Sequence, residues 1–369
     1  MQIRTFKSLV ALAALALSGL AAHAQDEEKV LHMANWSEYI ADDTLKNFEK
    51  ETGIRVVYDT FDSNEILHAK LVAGKTGYDI VVPSSTFVRQ QIDGGLLRKL
   101  DKSLLPNLKN LDPTLQEKLG VADPGNQYME NWLWGYTTVG INVDKVKAAL
   151  GGKPLPEDAW DLVFKPEYLS RLKGCGVSFL DSPSEIVPLA LLYLGKSVDT
   201  RNPADFAAAG ALLGTIRPYV TLFNSAGYMN DLAAGSNCLA IGWSGDLGKA
   251  RRMAVEAKNG HRIQTLVPKT STMLFFDGMV IPADAPHPHN AHLFINYILR
   301  GEVHANLSNK LKYANPNLAS RPFVAPDVAN DATIFLSAAD MTKMVSPAPL
   351  TNEVRRMMAR TYTNFKSGR

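Results

Sequence analysis

The sequence predicts an α/β protein of two lobes, joined by a hinge, with a ligand cleft between the lobes. Strand-like segments alternate with amphipathic helices over residues 30–82. A second group of strand-like segments follows over residues 174–267. About 345 residues remain after the N-terminal apolar segment, enough for two hydrophobic cores.

The first lobe opens with three strands separated by two helices. Gly53 and Gly74 end the predicted helices, and Pro83 ends the third strand. Strands that alternate with helices in this way form a largely parallel sheet. The predicted strands are residues 30–35, 54–58 and 78–82, and the predicted helices are residues 42–52 and 63–73.

The sequence after the first lobe predicts a second sheet, followed by a mainly helical C-terminal third. Short strand-like crossings between the lobes are expected near residues 137–142 and 272–282, with a further return after Asn315. The expected lobes are residues 25–137 plus 279–320, and residues 138–278 plus 321–369. The predicted strands are 139–142, 174–180, 238–243, 262–267 and 279–281, and the predicted helices are 291–300, 303–310, 331–335 and 351–366.

The N-terminus has the pattern of a secretory signal peptide over residues 1–24. Arg4 and Lys7 precede an apolar stretch at residues 9–20, and the small residues Ala22 and Ala24 fit a cleavage site. We therefore expect an exported, soluble protein in a bacterial periplasm, beginning at Gln25. Cleavage removes two of 39 basic residues, so the mature chain has 37 basic against 37 acidic residues.

This neutral balance, without a basic run interleaved with aromatic residues, excludes nucleic acid as an expected partner. The two cysteines, Cys175 and Cys238, are too far apart for a redox motif. In an oxidising compartment a single pair indicates a structural disulfide. Two buried free thiols are the alternative.

Aromatic residues and carboxylates recur together at the ends of predicted strands. One group is Trp36, Ser37, Glu38 and Tyr39, and another is Trp243 and Asp246. Aromatic faces attract cations and cover hydrocarbon, while carboxylates bind ammonium groups. The pattern predicts a site for a small organic cation, to which we also assign Phe275, Asp277 and Tyr313.

Several of these residues have a second, purely structural explanation. Trp36 fits a core position, and Glu38 fits a solvated loop charge. Ser84 fits either a ligand contact or the cap of the following helix. Glu185 fits a capping box after Ser182, or a ligand contact, or both. Asp246 also fits the first turn of a helix, where acidic side chains are favoured.

Catalytic chemistry is not expected. Residues 242–246 approach the nucleophile-elbow pattern, but Asp246 stands where that pattern requires its last glycine. His287, His289 and His292 lack the supporting cysteine or acidic cluster of a metal site. Neither common glycine-rich phosphate loop is present. We expect no enzyme activity, no metal and no cofactor.

The motifs together resemble the periplasmic polyamine-binding proteins of ABC transporters, and most closely the putrescine-binding type. The resemblance covers essentially the whole mature chain and rests on residues 35–40, 78–84, 175–181, 240–246, 275–277 and 313–315. It implies a type II periplasmic binding fold and a disulfide between the two cysteines. It also implies a ligand site with three kinds of residue. The aromatic box is formed by Trp36, Tyr39, Trp243, Phe275 and Tyr313. The polar contacts are Ser37 and Ser84, and the carboxylates that bind the ammonium groups are Glu185, Asp246 and Asp277.

Some residues depart from the putrescine-type pattern. Glu38 stands where that type often has Asp, and Thr86, Ser182 and Leu247 also differ. The resemblance implies putrescine as the ligand, and these departures leave spermidine, cadaverine and agmatine as alternatives. We expect a monomer that closes on its ligand and delivers it to an inner-membrane ABC permease; a sensing subunit for a membrane receptor is the alternative role.

Overall fold

A computed structural model describes residues 27–369, so the predicted signal peptide at residues 1–24 lies outside the described residues. The strands are β1 Val30–Trp36, β2 Arg55–Phe61, β3 Ile80–Val81, β4 Leu97–Arg98, β5 Met129–Asn142, β6 Val177–Phe179, β7 Leu222–Phe223, β8 Leu239–Trp243, β9 Ile263–Leu266, β10 Thr272–Pro282 and β11 Met344–Val345.

The helices are α1 Thr44–Thr52, α2 Asn64–Ala73, α3 Ser85–Asp93, α4 Pro113–Leu119, α5 Val143–Ala149, α6 Asp161–Phe164, α7 Pro166–Leu172, α8 Pro183–Tyr193, α9 Pro203–Ile216, α10 Tyr228–Ala234, α11 Ser244–Glu256, α12 Pro288–Ile298, α13 Gly301–Leu311, α14 Pro326–Ala329, α15 Ala338–Met341 and α16 Asn352–Ser367. Short 3-10 turns lie between several of them. Among residues 27–369, no helix is both long enough and apolar enough to cross a bilayer.

The strands join into one 11-stranded sheet in the order β2-β1-β3-β10-β5-β8-β6-β7, with β4 and β11 on β10 and β9 on β5. We call the part around β1, β2 and β3 the first lobe and the part around β6, β7 and β8 the second lobe. β1 is parallel to both of its neighbours, and β6 is parallel to both of its own. The predicted parallel strands therefore form in each lobe.

The two lobes share the long strands β5 and β10. Residues 129–136 of β5 pair with β10, whereas residues 137–141 pair with β8. β10 covers the predicted crossing at 272–282. The predicted strand at 139–142 is only the end of β5, because all fourteen residues of β5 are buried and lack an apolar–polar alternation.

Helix ends follow the local sequence signals. Ser63 caps α2 by accepting a hydrogen bond from the Ile66 amide at 3.1 Å. Gly53 ends α1 with φ 71°, a conformation that glycine adopts without strain. The helix predicted at 331–335 is wrong: this segment is a turn, in which the Asp331 carboxylate accepts from the Thr333 amide and pairs with Arg251.

The hydrophobic cores lie on both faces of the first-lobe sheet and around the second-lobe sheet. In β1, Met33 belongs to one first-lobe cluster and Ala34 to the other, because neighbouring side chains point to opposite faces. Phe179 is among the buried residues of the second-lobe core. The predicted lobe boundaries stay a prediction. Within residues 321–369, Val328 packs in a first-lobe cluster and Met358 packs in the second-lobe core.

Cys175 and Cys238 form a disulfide with their Cα atoms 5.4 Å apart. The predicted pairing is therefore confirmed, and the alternative of two free thiols is wrong. Cys175 directly precedes Gly176 and β6, and Cys238 directly precedes β8. The bond thus ties together the entrances of two parallel neighbouring strands of the second lobe.

Candidate ligand-binding site between the lobes

The loop after β1 carries the first group of predicted site residues. The buried side chain of Asn35 holds this loop, accepting from the Trp36 amide at 2.8 Å and donating to the Tyr39 carbonyl at 3.2 Å. Glu38 has φ 53°, so the chain turns sharply there. The turn leaves Trp36 partly exposed and brings Tyr39 into the interior.

Asp277 lies at an irregularity of β10, where the register with β5 shifts between Asp277 and Gly278. Its carboxylate accepts from the Ser84 hydroxyl at 2.6 Å and the Tyr39 hydroxyl at 3.0 Å. Burial raises the pKa of Asp277 to about 7, although both hydrogen bonds lower it. Ser84 precedes α3 without capping it through its side chain, so the geometry favours the site role of Ser84 over the capping role.

Asp246 lies in the first turn of α11 and accepts one hydrogen bond on each oxygen. Tyr313 and Tyr228 donate their hydroxyls, each at 2.9 Å. Burial raises the pKa of Asp246, while the Lys249 ammonium and the two tyrosine hydroxyls lower it. The helix start explains part of this position, and the hydrogen bond from Tyr313, which packs in a first-lobe cluster, places the carboxylate where the two lobes meet.

Glu185 lies in the first turn of α8, where a capping box with Ser182 was one of the alternatives, but Ser182 does not cap the helix through its side chain. The Glu185 carboxylate instead accepts from the Thr137 hydroxyl at 2.6 Å and the Trp243 indole at 3.3 Å. Burial raises the pKa of Glu185, against these two hydrogen bonds. The carboxylate therefore faces the crossing strand β5, not its own helix end.

The three carboxylates share an unusual electrostatic setting. Each accepts only from neutral donors, and within residues 27–369 none lies within 4.0 Å of a Lys, Arg or His nitrogen. Asp277 is close enough to Glu185 and Asp246 for both charges to raise its pKa. Buried anions of this kind are stabilised when a cation reaches them.

Aromatic rings connect the carboxylates. The Tyr39 and Tyr313 rings meet edge to face at 5.4 Å, and Phe275 lies 6.3 Å from Tyr313. Trp243 is partly buried, contacts the cores of both lobes, and lies 6.2 Å from Tyr228. Trp36 packs on Phe61 at 4.7 Å and remains partly exposed. Such faces suit a short hydrocarbon chain between two charged ends.

Three predicted site residues, Ser37, Glu38 and Trp36, lie outside this network. Ser37 is exposed and donates to Asp62 at 2.8 Å. The Glu38 side chain is 81 % exposed, and its carboxylate lies 3.5 Å from the Lys249 ammonium. The Trp36 ring packs on Phe61, which is not one of the predicted site residues. The other predicted residues are brought together: Tyr39, Ser84, Glu185, Trp243, Asp246, Phe275, Asp277 and Tyr313.

Sequence reasoning missed Tyr228, Thr137 and Lys249. Tyr228 donates to Asp246 and also accepts from the Trp243 amide at 3.1 Å. It fits against Gly242, where a Cβ would lie 2.2 Å from the Tyr228 ring. Gly242 beside Trp243 is the local sequence signal for the Tyr228 ring, and Lys249 could have been found from its position three residues after Asp246 on a predicted helix. Thr137 has no such signal.

Two of the histidines that were considered as metal ligands, His287 and His292, make hydrogen bonds within the fold. His287 bonds the buried Asp79 at 3.1 Å, and His292 accepts from the Asp101 amide at 2.8 Å. Residues 27–369 contain no group of three or more His, Cys, Asp or Glu side chains arranged to hold a metal ion.

Two lobes that share crossing strands, with a carboxylate and aromatic site between them, define a two-lobed solute-binding protein. The chain belongs to the family of bacterial extracellular solute-binding proteins, whose profile matches residues 43–335. This membership confirms the prediction of a binding protein.

The similarity to individual proteins extends over the whole chain. The putrescine-binding periplasmic protein SpuD of Pseudomonas aeruginosa (strain UCBPP-PA14) is 48% identical over 370 residues, covering 100% of both chains. The putrescine-binding periplasmic protein PotF of Escherichia coli (strain K12) is 46% identical, covering 97% of this chain and 96% of its own. These relatives confirm the predicted resemblance to polyamine-binding proteins.

A solved structure has the same fold. The spermidine/putrescine ABC transporter substrate-binding protein PotD of Streptococcus pneumoniae (strain Canada MDR_19A) superimposes with a TM-score of 0.79 at 26% identity, covering 92% of this chain and 99% of that chain. The predicted type II periplasmic binding fold is therefore confirmed.

Proposed function

We propose that this protein captures a polyamine, with putrescine as its principal ligand, between its two lobes. The observation that carries the proposal is a set of three carboxylates: Asp277 is buried, and Glu185 and Asp246 are partly buried. Among residues 27–369, none of the three lies within 4.0 Å of a Lys, Arg or His nitrogen. A diamine carries two ammonium groups, which would supply the missing positive charge.

The carboxylates divide into two ends. The charges of Glu185 and Asp246 both raise the pKa of Asp277, and we assign Glu185 and Asp277 to one end of the ligand. Asp246 is influenced by Lys249 and Glu38, which form the other end. One ligand ammonium at each end would leave the methylene chain beside the rings of Trp36, Tyr39, Trp243, Phe275 and Tyr313.

Ligand contacts with both lobes explain how ligand binding would favour the closed arrangement of the lobes. Asp246 belongs to α11 of the second lobe, whereas Tyr39 and Ser84, which hold Asp277, belong to the first. A ligand that bridges the two ends stabilises the closed arrangement by its contacts with both lobes.

The proposed setting is the bacterial periplasm, after cleavage near Ala24. The closed protein would act as a monomer and deliver its ligand to an inner-membrane ABC permease. The relatives support this role, since SpuD and PotF are putrescine-binding periplasmic proteins.

Thermal unfolding of residues 25–369, refolded from denaturant to remove carried-over ligand, tests the proposal. The ligands are putrescine, cadaverine, spermidine, spermine, agmatine, arginine and lysine, at matched ionic strength. A ligand at 100 times its Kd adds about 2.7 kcal/mol of stability, a shift of several degrees. We expect putrescine to give the largest shift. A largest shift with another polyamine would reassign the ligand, and no shift with any amine would overturn the proposal.

A further inference from the structure

Lys249 places an ammonium group beside the proposed site. It follows Asp246 by three residues on α11, so the two side chains share one face of the helix. Its side chain is only 17 % exposed, and its ammonium lies 3.5 Å from the Glu38 carboxylate. Glu38 belongs to the first lobe and Lys249 to the second. The pair therefore spans the cleft at the Asp246 end.

The charges at this end are coupled. The Lys249 ammonium lowers the pKa of Asp246, and the Glu38 carboxylate raises it. Two carboxylates and one resident ammonium leave this end with a net charge of about −1 when all three are ionised. That charge matches one ligand ammonium. At the opposite end, Glu185 and Asp277 have no Lys or Arg partner within 4.0 Å among residues 27–369.

We propose that Lys249 makes the site selective for diamines over longer polyamines. Its ammonium forms an ion pair with the Glu38 carboxylate, so this carboxylate is not free to pair with the third ammonium of a longer ligand. The inference rests on the proposed function and names a residue that determines its specificity.

The physical argument follows the ligand along the cleft. A triamine with one terminal ammonium between Glu185 and Asp277 and its middle nitrogen at Asp246 must extend past Asp246. Its third charge then meets the Lys249 ammonium, and like charges at such short range repel. Glu38 cannot offset the repulsion while it is paired with Lys249. A diamine ends at Asp246 and avoids this cost.

The test compares Lys249→Gln with the unchanged protein by isothermal titration with putrescine, cadaverine and spermidine. Lys249→Arg keeps the charge. Lys269→Gln is the matched control, since it removes an ammonium paired with Glu157 on the surface, where both side chains are mostly exposed. We expect Lys249→Gln to improve spermidine binding relative to putrescine by about tenfold. Lys249→Arg and Lys269→Gln should keep the original ratio.

The ratio of cadaverine to putrescine, which compares two dications, should change by less than about twofold in every variant. The role of Lys249 is overturned if Lys249→Gln changes the ratio of the spermidine Kd to the putrescine Kd by less than about twofold. It is also overturned if Lys269→Gln changes this ratio by as much as Lys249→Gln does. Either result leaves the proposed function intact. If the unchanged protein binds no amine, the proposed function fails, and this inference falls with it.

Discussion

The hydroxyl of Tyr313 donates a hydrogen bond to Asp246 Oδ1 at 2.9 Å. Tyr313 follows α13 on the first lobe, and Asp246 opens α11 of the second lobe. A residue from each lobe therefore meets at the proposed ammonium position. Since Tyr313 also contacts the ring of Tyr39, which donates to Asp277, two of the carboxylates belong to one connected network.

Replacing Asp277 by Asn should separate binding from stability. The substitution keeps the size of the side chain but removes the charge, so putrescine affinity should fall by about 10–100-fold. The unliganded protein should not lose stability at pH 7.5, because a buried carboxylate without an ion pair has been removed.

Calorimetric titration and thermal unfolding measure the two effects of Asp277→Asn. Asp93→Asn is the control, as its side chain is 60 % exposed and pairs with Arg89 on the surface. An unchanged putrescine Kd in Asp277→Asn would exclude Asp277 as an ammonium contact.

Putrescine binding should weaken as the pH falls below 7. Burial raises the pKa of Asp277 to about 7, so at pH 5.5 only a few per cent of the carboxyl groups are ionised, if this group titrates alone. The amines of the ligand remain protonated throughout this range. The apparent Kd at pH 5.5 should therefore be about 30-fold weaker than the Kd of the ionised site.

The stability of the unliganded protein should change in the opposite direction. The folded pKa of Asp277 lies above its ordinary value of 3.8, so between about pH 4 and pH 7 the folded state holds a proton that the unfolded state has released. The contribution of Asp277 to stability is present below pH 4 and is lost as the pH rises through 7. Burial raises the pKa of Glu130 to about 7 as well, with the same sign.

Titrations with putrescine and urea unfolding between pH 5.5 and pH 8 measure both trends. The Asp277→Asn variant serves as the control, since its Kd should depend less on pH. A Kd for the unchanged protein that is constant over this range would contradict the assigned titration.

Much of the fold was predictable because local signals agreed with the tertiary structure. Gly53, Gly74 and Ser63 mark helix ends whatever packs around them. The length of β5 was not predictable, since its buried polar residues, such as Asn131, interrupt the apolar run. The turn at Asp331 depends on Arg251, a residue far away in the sequence.

The chemical type of the site was predictable from strand ends rich in aromatic residues and carboxylates. The hydrogen-bond partners were not. Thr137 meets Glu185 across 48 positions of sequence, and Tyr228 meets Asp246 from a neighbouring helix. Only the packing of the lobes brings such groups together, so no local pattern indicates them.

Tyr228→Phe should weaken both the fold and the site. It removes the donor to Asp246 and the acceptor for the Trp243 amide. Leaving that buried amide unpaired should cost about 1–3 kcal/mol of stability. Asp246 loses one of its two donors, so we expect putrescine binding to fall by about tenfold.

Tyr193→Phe is the matched control for Tyr228→Phe. The Tyr193 hydroxyl donates to Asp161 at 2.8 Å in the second lobe, outside the site. Both variants should unfold at lower temperature, but only Tyr228→Phe should change the putrescine Kd. Equal Kd values for the two variants would show that Tyr228 supports the fold alone.

Gly245→Ala should displace Tyr313. A Cβ at Gly245 would lie 2.2 Å from a ring carbon of Tyr313, so the ring must move. We expect the free energy of unfolding to fall by about 1–3 kcal/mol and putrescine binding to weaken with the loss of the Tyr313–Asp246 hydrogen bond. Gly214→Ala is the control, because a Cβ there meets nothing within 4 Å. In the helix α9 that substitution should stabilise the protein by about 0.5–1 kcal/mol.

A double-mutant cycle with Tyr313→Phe separates the effect of Gly245→Ala on the hydrogen bond from its effect on packing. Tyr313→Phe removes the hydroxyl that donates to Asp246 but keeps the ring that a methyl group at Gly245 would strike. In this background Gly245→Ala should still lower the unfolding temperature, since the clash remains. Its further effect on the putrescine Kd should be much smaller than in the unchanged protein, because the hydrogen bond is already absent. Additive effects on the Kd would mean that Gly245 acts on binding by a route other than the position of Tyr313.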